Sequence, residues 1–275
     1  MRPLICFIIL ASLSFTVYAQ KMETIRGDRE VVSISKSIDQ DFSALEINDN
    51  LKVTLIQSKK NSYILTTDKN LVEAVSIEVN NGILRLHNTT KIVNSKKLEI
   101  ILNVKEISKI ILNDDAELKT LKTLSLNLLS LTGNHSSKFD LDIESKNINI
   151  VLNKNSGGKI NAKSKEVTMN ITDRSDLKGK LNTHNLTAHL SKSAQLDMDG
   201  KVNNADFNLK NAAELKGKKM KIGTAILNAS NKTDIYIHAT KNLVIDAEGK
   251  SKVYVYGNPK IDLKGLTNSS RIIKK

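Results

Sequence analysis

The chain holds a single cysteine, Cys6, two prolines, Pro3 and Pro259, and no tryptophan, and aromatic residues make up only 4% of its 275 positions. Each scarcity excludes something. The lone cysteine lies inside an N-terminal apolar run, so the rest of the chain has no disulfide, no thiol chemistry and no cysteine-based metal site. With one proline beyond residue 3, nothing interrupts long strand ladders. The formal charge of +13 draws the chain to anionic surfaces such as lipopolysaccharide or acidic polysaccharide. Nucleic acid is not expected as a partner, because no aromatic residues interleave with the lysines as stacking platforms.

The apolar run itself reads as a targeting signal. Arg2 precedes Leu4 to Val17, and Val17-Tyr18-Ala19 offers a small residue before Gln20. A run of roughly 14 residues is shorter than the 20 or so that a membrane-spanning helix needs, and no later stretch is apolar enough to span. Residues 1–19 are therefore read as a secretory signal peptide, and the chain as exported: periplasmic, outer-membrane-associated, or at the cell surface or secreted. Cys6 lies too early in the run to accept a lipid anchor.

What the chain does have is a 19-residue period. One row reads Ile148, Val167, Leu186, Ala205, Thr224, Leu243; the next reads Ile150, Met169, Ala188, Phe207, Ile226, Ile245; a third reads Leu152, Ile171, Leu190, Leu209, Asn228, Ala247. Sixteen of these eighteen positions are apolar, against about seven expected from a 40% hydrophobic composition. Between the rows lie Asn149, Thr168, Thr187 and Asp206, then Asn170, His189, Asn208 and Asp246. This alternation is that of a half-buried strand repeated once per coil. It predicts an all-β fold, a single-stranded right-handed parallel β-helix (β-solenoid) with roughly 19-residue coils. Two short strands per coil are expected, as in Leu186-x-Ala188-x-Leu190 and Ala194-x-Leu196-x-Met198, with asparagine and serine ladders at the turns. About nine coils at about 4.8 Å each make a rod of about 40 Å.

The pattern is irregular before residue 98. Val75-x-Ile77-x-Val79, Asn80-Asn81-Gly82 and Ile83-x-Arg85 predict a β-hairpin with a type I′ turn, preceded by strands at Leu45-x-Ile47 and Leu51-x-Val53-x-Leu55. Residues 20–97 are read as an irregular, partly antiparallel N-terminal cap. Residues 98–275 are read as the regular coils with a C-terminal cap.

Little catalytic chemistry is encoded. The one adjacent acidic pair in the coils, Asp114-Asp115, is followed one coil later by Gly133-Asn134, so no carboxylate cluster builds up. Asp197 and Asp199 stand among lysines as an ion-paired face, and His184 and His189, five apart, are assigned to opposite strand faces. No metal-ligand spacing, phosphate loop or nucleophile triad is found; no cofactor is expected and the chain is not expected to be an enzyme.

Two surface features point to a partner. Lys180, Lys201, Lys216, Lys218, Lys219 and Lys221 form a candidate basic edge. In Ile235-Tyr236-Ile237-His238 and Val253-Tyr254-Val255-Tyr256 the apolar residues face in, which stacks Tyr236 over Tyr254 and His238 over Tyr256 as a candidate partner-binding patch.

Glu30-Val31, Phe42-Ser43-x-Leu45-x-Ile47, the run Leu51 to Gln57, the hairpin Asn81 to Leu86 and Val255-Tyr256-Gly257-Asn258-Pro259 together resemble the auto-transporter adhesins with a head GIN domain. The resemblance covers nearly the whole chain after the signal peptide and implies an exported β-helix protein of the Bacteroidota type with an adhesin role. One departure is visible. The family's Ser-Gly-x-Gly turns are approached only at Ser156-Gly157-Gly158. The expected function is a non-catalytic β-solenoid that binds an envelope or extracellular glycan or protein. A periplasmic structural or signalling accessory is the first alternative, and a polysaccharide-acting enzyme the second. Oligomeric state is not legible.

Overall fold

The structure is a computed structural model that describes residues 23–275; the expected signal peptide and Cys6 lie outside the described residues. The N-terminal part comprises β1 (Thr24–Arg26), β2 (Val31–Ser37), β3 (Ala44–Ile47), β4 (Lys52–Gln57), β5 (Ser62–Asp68), a short 3-10 helix (Lys69–Ala74), β6 (Val75–Asn80), β7 (Ile83–Asn88), β8 (Lys91–Asn94), β9 (Leu98–Val104), β10 (Lys109–Leu112) and β11 (Glu117–Thr120). The regular coils follow as β12 (Leu124–Gly133), β13 (Lys138–Leu152), β14 (Gly157–Ile171), β15 (Asp176–Leu190), β16 (Gln195–Lys210), β17 (Glu214–Ser230) and β18 (Asp234–Ala247). The last coil contains β19 (Lys252–Tyr256), β20 (Lys260–Leu266) and β21 (Arg271–Lys274).

Parallel stacking turns the 19-residue period into two walls, A and B, joined at a turn and a corner. On wall A, Leu84, Leu45, Ile110, Leu131, Ile150, Met169, Ala188, Phe207, Leu227, Ile245 and Leu263 follow one another in strand register. The first ten are 0% exposed. Wall B carries the matching column Ile100, Val53, Leu118, Phe139, Gly158, Leu177, Leu196, Leu215, Ile235, Val253 and Ile272.

Three expectations need correction. The two short strands per coil are one long strand that bends at a corner, where Lys146, Lys165, His184 and Asn203 are skipped by the ladder, and each strand runs on into the next coil. That extra corner residue breaks the period-2 count, so His184 at the corner and His189 on wall A are both exposed. The third concerns register. Gly217-Lys218-Lys219-Met220 holds a bulge, so Ala205 pairs with Ala225, Phe207 with Leu227 and Leu209 with Ala229. Thr224, Ile226 and Asn228 are thereby displaced from the core, and Ile226 is 44% exposed.

The turns carry the cost of having few glycines. Asp114-Asp115, His135-Ser136, Lys154-Asn155, Asp173-Arg174, Lys192-Ser193, Asn211-Ala212 and Asn231-Lys232 all place two successive residues at left-handed φ. Each such residue without a glycine costs roughly 1 kcal/mol. Stacked hydrogen bonds offset it: the second N–H of one turn donates to the first carbonyl of the next, as Ser136 to Lys154 (3.0 Å) and Asn155 to Asp173 (3.1 Å). Side chains add the ladder Asn48, Asn113 and Asn134 at 2.9 and 2.8 Å, while Asn228, outward on a strand, takes no part in a turn.

The N-terminal end is not sequential. β3 lies between β7 and β10, and β4 between β9 and β11, so the first coil in sequence is the second in space. The expected hairpin is present, with Asn81 and Gly82 at φ 51° and 74°. β6 closes wall A antiparallel to β7; β5 closes wall B antiparallel to β9, with β2 beyond it.

Asp68 pins this cap. Its buried carboxylate accepts the backbone N–H groups of Lys96 (3.0 Å), Lys97 (3.2 Å) and Arg29 (3.2 Å). A Cβ on Gly27 would collide with Asp68 Oδ2, so that approach requires glycine. The hydrogen bond from Lys96 leads in holding the Asp68 carboxyl below its ordinary range, and burial opposes it. A lowered folded-state pKa stabilises the cap above the ordinary Asp value of about 4, and the contribution is lost as pH falls through the depressed value. Limited proteolysis of residues 23–43 is therefore expected to stay flat from neutral pH to about pH 4 and to accelerate only below it. In Asp68→Asn it is expected to be fast at every pH; equal protection in the variant would refute the role.

Candidate functional site

The outer face of wall B reads, coil by coil, Asp140, Lys159, Lys178, Asp197, Lys216, Tyr236, Tyr254 and Ile273. Polar residues give way to aromatic ones only over the last coils. The Tyr236 and Tyr254 rings stack with centroids 4.7 Å apart and planes 7° apart. The spacing follows from the strand separation, which holds flat side chains in adjacent parallel strands face to face. His238 pairs in register with Tyr256. The His238 Nδ1 lies 3.1 Å from the Lys218 carbonyl, so the bulge in β17 touches the aromatic column.

That bulge also brings the candidate basic residues to the tyrosines. Lys216 is the register neighbour of Tyr236, Lys221 of His238, and the Lys218 Nζ stands 5.2 Å from the centre of the Tyr256 ring. Lys219, exposed, shares the bulge with Lys218. Lys201 lies beside Lys221, whereas Lys180 is set apart by its neighbour Asp199. The C-terminus closes the patch, with Lys275 Nζ 5.6 Å from the centre of the Tyr254 ring and Lys274 Nζ 2.9 Å from Asn258 Oδ1. A ligand here meets ring edges and hydroxyls, because the inner faces of Tyr236 and Tyr254 cover each other. Burial, then the neighbouring Tyr254 and Asp234, raise the Tyr236 pKa, so its hydroxyl remains a hydrogen-bond donor at neutral pH.

The acidic candidates do not assemble. Asp114 sits in a left-handed turn with its Oδ1 3.4 Å from His135 Nδ1. Lys216, the register neighbour of Asp197, pairs instead with Glu214 at 3.1 Å. Among the described residues no three His, Cys, Asp or Glu side chains converge on a metal-sized site, and no helix is long and apolar enough to cross a membrane. Sequence reading missed an open groove of about 560 Å³ on wall B, lined by Ile56, Ile101 and Leu121 and rimmed by the Lys52–Glu117 pair at 3.2 Å. Its signal was present, since Ile101 and Leu121 are apolar at outward positions, 37% and 63% exposed.

Residues 41–172 and 151–259 match the family described as putative auto-transporter adhesin, head GIN domain. The chain belongs to this family. Solved structures share its fold, among them the following three. A putative adhesin from Parabacteroides merdae is 17% identical, with a TM-score of 0.67 over 92% of this chain and 99% of that one. A protein from Parabacteroides distasonis described as a putative lipid binding protein is 18% identical, with a TM-score of 0.66 over 92% and 100%. A putative adhesin from the same organism is 15% identical, with a TM-score of 0.65 over 92% and 100%. At these identities the likeness concerns the fold. No curated protein matches the chain.

Proposed function

We propose that this head GIN domain protein is an exported, non-catalytic β-solenoid that binds a cell-envelope or extracellular glycan or protein through the end of wall B. Residues 1–19 are then removed on export, residues 20–97 close one end, and residues 98–275 carry the coils and the binding surface. The observation that supports the site is the meeting of Tyr236, Tyr254, Tyr256 and His238 with Lys216, Lys218 and Lys221 in one patch. Ring edges, hydroxyl donors and cations suit an acidic glycan or an acidic protein face. The adhesin description of the family supports the wider reading, and the surface position of the patch agrees with it.

The test is binding of the purified chain to a panel of envelope glycans and lipopolysaccharide at low and high salt, beside a Tyr236→Ala/Tyr254→Ala variant. A specific site gives salt-resistant binding that weakens at least about tenfold in the variant. Binding that vanishes with salt and ignores the tyrosines would reduce the patch to general attraction by a basic chain. Protease shaving of intact cells separates surface display from a periplasmic accessory.

A further inference from the structure

The two ends of the solenoid are finished differently. At the N-terminal end antiparallel strands cover both walls. At the C-terminal end β20 pairs with β18 and β21 with β19, and the outer edges of β20 and β21 have no partner strand among the described residues. The apolar columns nevertheless continue into this last coil. Ile261, Leu263 and Leu266 stand in register beyond Leu243, Ile245 and Ala247. Those three are 0% exposed, whereas Ile261, Leu263 and Leu266 are 41%, 48% and 43% exposed.

We propose that this tip docks onto bilayers carrying anionic phospholipid headgroups, with the rod standing on its C-terminal end. The apolar residues do not stand alone. From residue 249 to 275 the chain carries seven lysine and arginine side chains against one acidic side chain, Asp262, which pairs with Lys264 at 2.9 Å; Lys260, Lys264 and Arg271 lie on the edge strands. An apolar centre ringed by long cationic side chains fits a headgroup layer, where the lysine stems lie along apolar surface and the ammonium groups meet phosphate. Water and phosphate oxygens at that depth also satisfy the free N–H groups of the strand edges, which the hydrocarbon interior would not. A second copy of the chain fits less well. Its tip would bring the same excess of positive charge, and the register slip between Leu263 and Gly265 spoils the edge of β20 as a template for strand pairing.

The site lies at the end of the rod and does not rest on the tyrosine patch, so the two readings separate by experiment. Sedimentation with sucrose-loaded vesicles of equimolar phosphatidylglycerol and phosphatidylcholine is compared with vesicles of phosphatidylcholine alone. The purified chain is expected to bind the anionic vesicles. Ile261→Ser/Leu263→Ser is expected to weaken binding about tenfold, and Lys260→Gln/Lys264→Gln about thirtyfold. Tyr236→Ala/Tyr254→Ala should leave it intact. Leu266→Ser serves as a second apolar variant should the serine pair lower the thermal midpoint. The proposal is overturned by no binding to anionic vesicles, or by binding indifferent to all the serine variants, which is attraction of a basic chain only. A dimer seen by sedimentation equilibrium, split by Leu263→Ser in the absence of lipid binding, would assign the tip to a second copy instead.

Discussion

Thr168→Pro is expected to abolish the soluble, folded chain. Thr168 is exposed, so no core contact is lost; the effect comes from the backbone. It sits in β14 between Asn149 of β13 and Thr187 of β15, with parallel ladders on both sides. In a parallel strand each N–H bonds to one neighbour or the other, so proline removes a ladder bond wherever it is placed. The missing donor and the ring together cost about 3 kcal/mol or more. Because each coil contacts only its neighbours, a break here also parts the rod into an N-terminal and a C-terminal stack. Thr168→Val, which keeps the β-branched shape, is the control and should fold normally. Far-UV circular dichroism and the soluble fraction on expression measure the outcome; a soluble proline variant with the spectrum of the parent would show that the ladder is locally dispensable. Pro259 is tolerated because it lies in the turn between β19 and β20, outside any strand.

Phe207→Ala is expected to destabilise the chain by about 3–5 kcal/mol, the range for truncating a fully buried aromatic. Phe207 is 0% exposed and stands in its column between Ala188 and Leu227. Ala188 is small where Phe207 is large, and the exchange of volume between adjacent coils fills the space between the walls. Truncation empties that space on the side where Ala188 offers nothing to fill it. Ladders above and below hold the backbone in place, so collapse is limited and the cavity term is large. Urea denaturation gives the change, and an Ala188→Leu/Phe207→Ala double variant should recover part of it. A loss below about 1.5 kcal/mol would mean that the walls close over the gap.

The coil architecture was legible because parallel stacking returns the same position of every coil to the same column, so a structural distance becomes a sequence period. Legibility fails where a coil changes length. The bulge at Lys218-Lys219 moves Thr224, Ile226 and Asn228 out of the core and Ala225, Leu227 and Ala229 in. Ile226 is apolar and hid the slip in its own row, but Thr224 and Asn228, the two polar exceptions among the eighteen positions, both fall in the slipped coil and were its signal. The order of β7, β3 and β10 was hidden for another reason: pairings between distant segments leave no local pattern. The stack of Tyr236 on Tyr254 followed from alternation and coil spacing alone. That Lys218 would reach Tyr256 depended on the bulge.

One complete coil, residues 157–175, begins and ends at equivalent register positions, since Gly157 pairs with Asp176. Duplicating or deleting such a unit returns every downstream side chain to its own column and moves the C-terminal end by about 4.8 Å along the axis. A single inserted residue does the opposite, as the slip beside Thr224 displays. Reach is therefore quantised: a lineage that needs a longer or shorter stalk between its capped end and its tyrosine-bearing end can change it in whole coils, while the residues at both ends stay as they were.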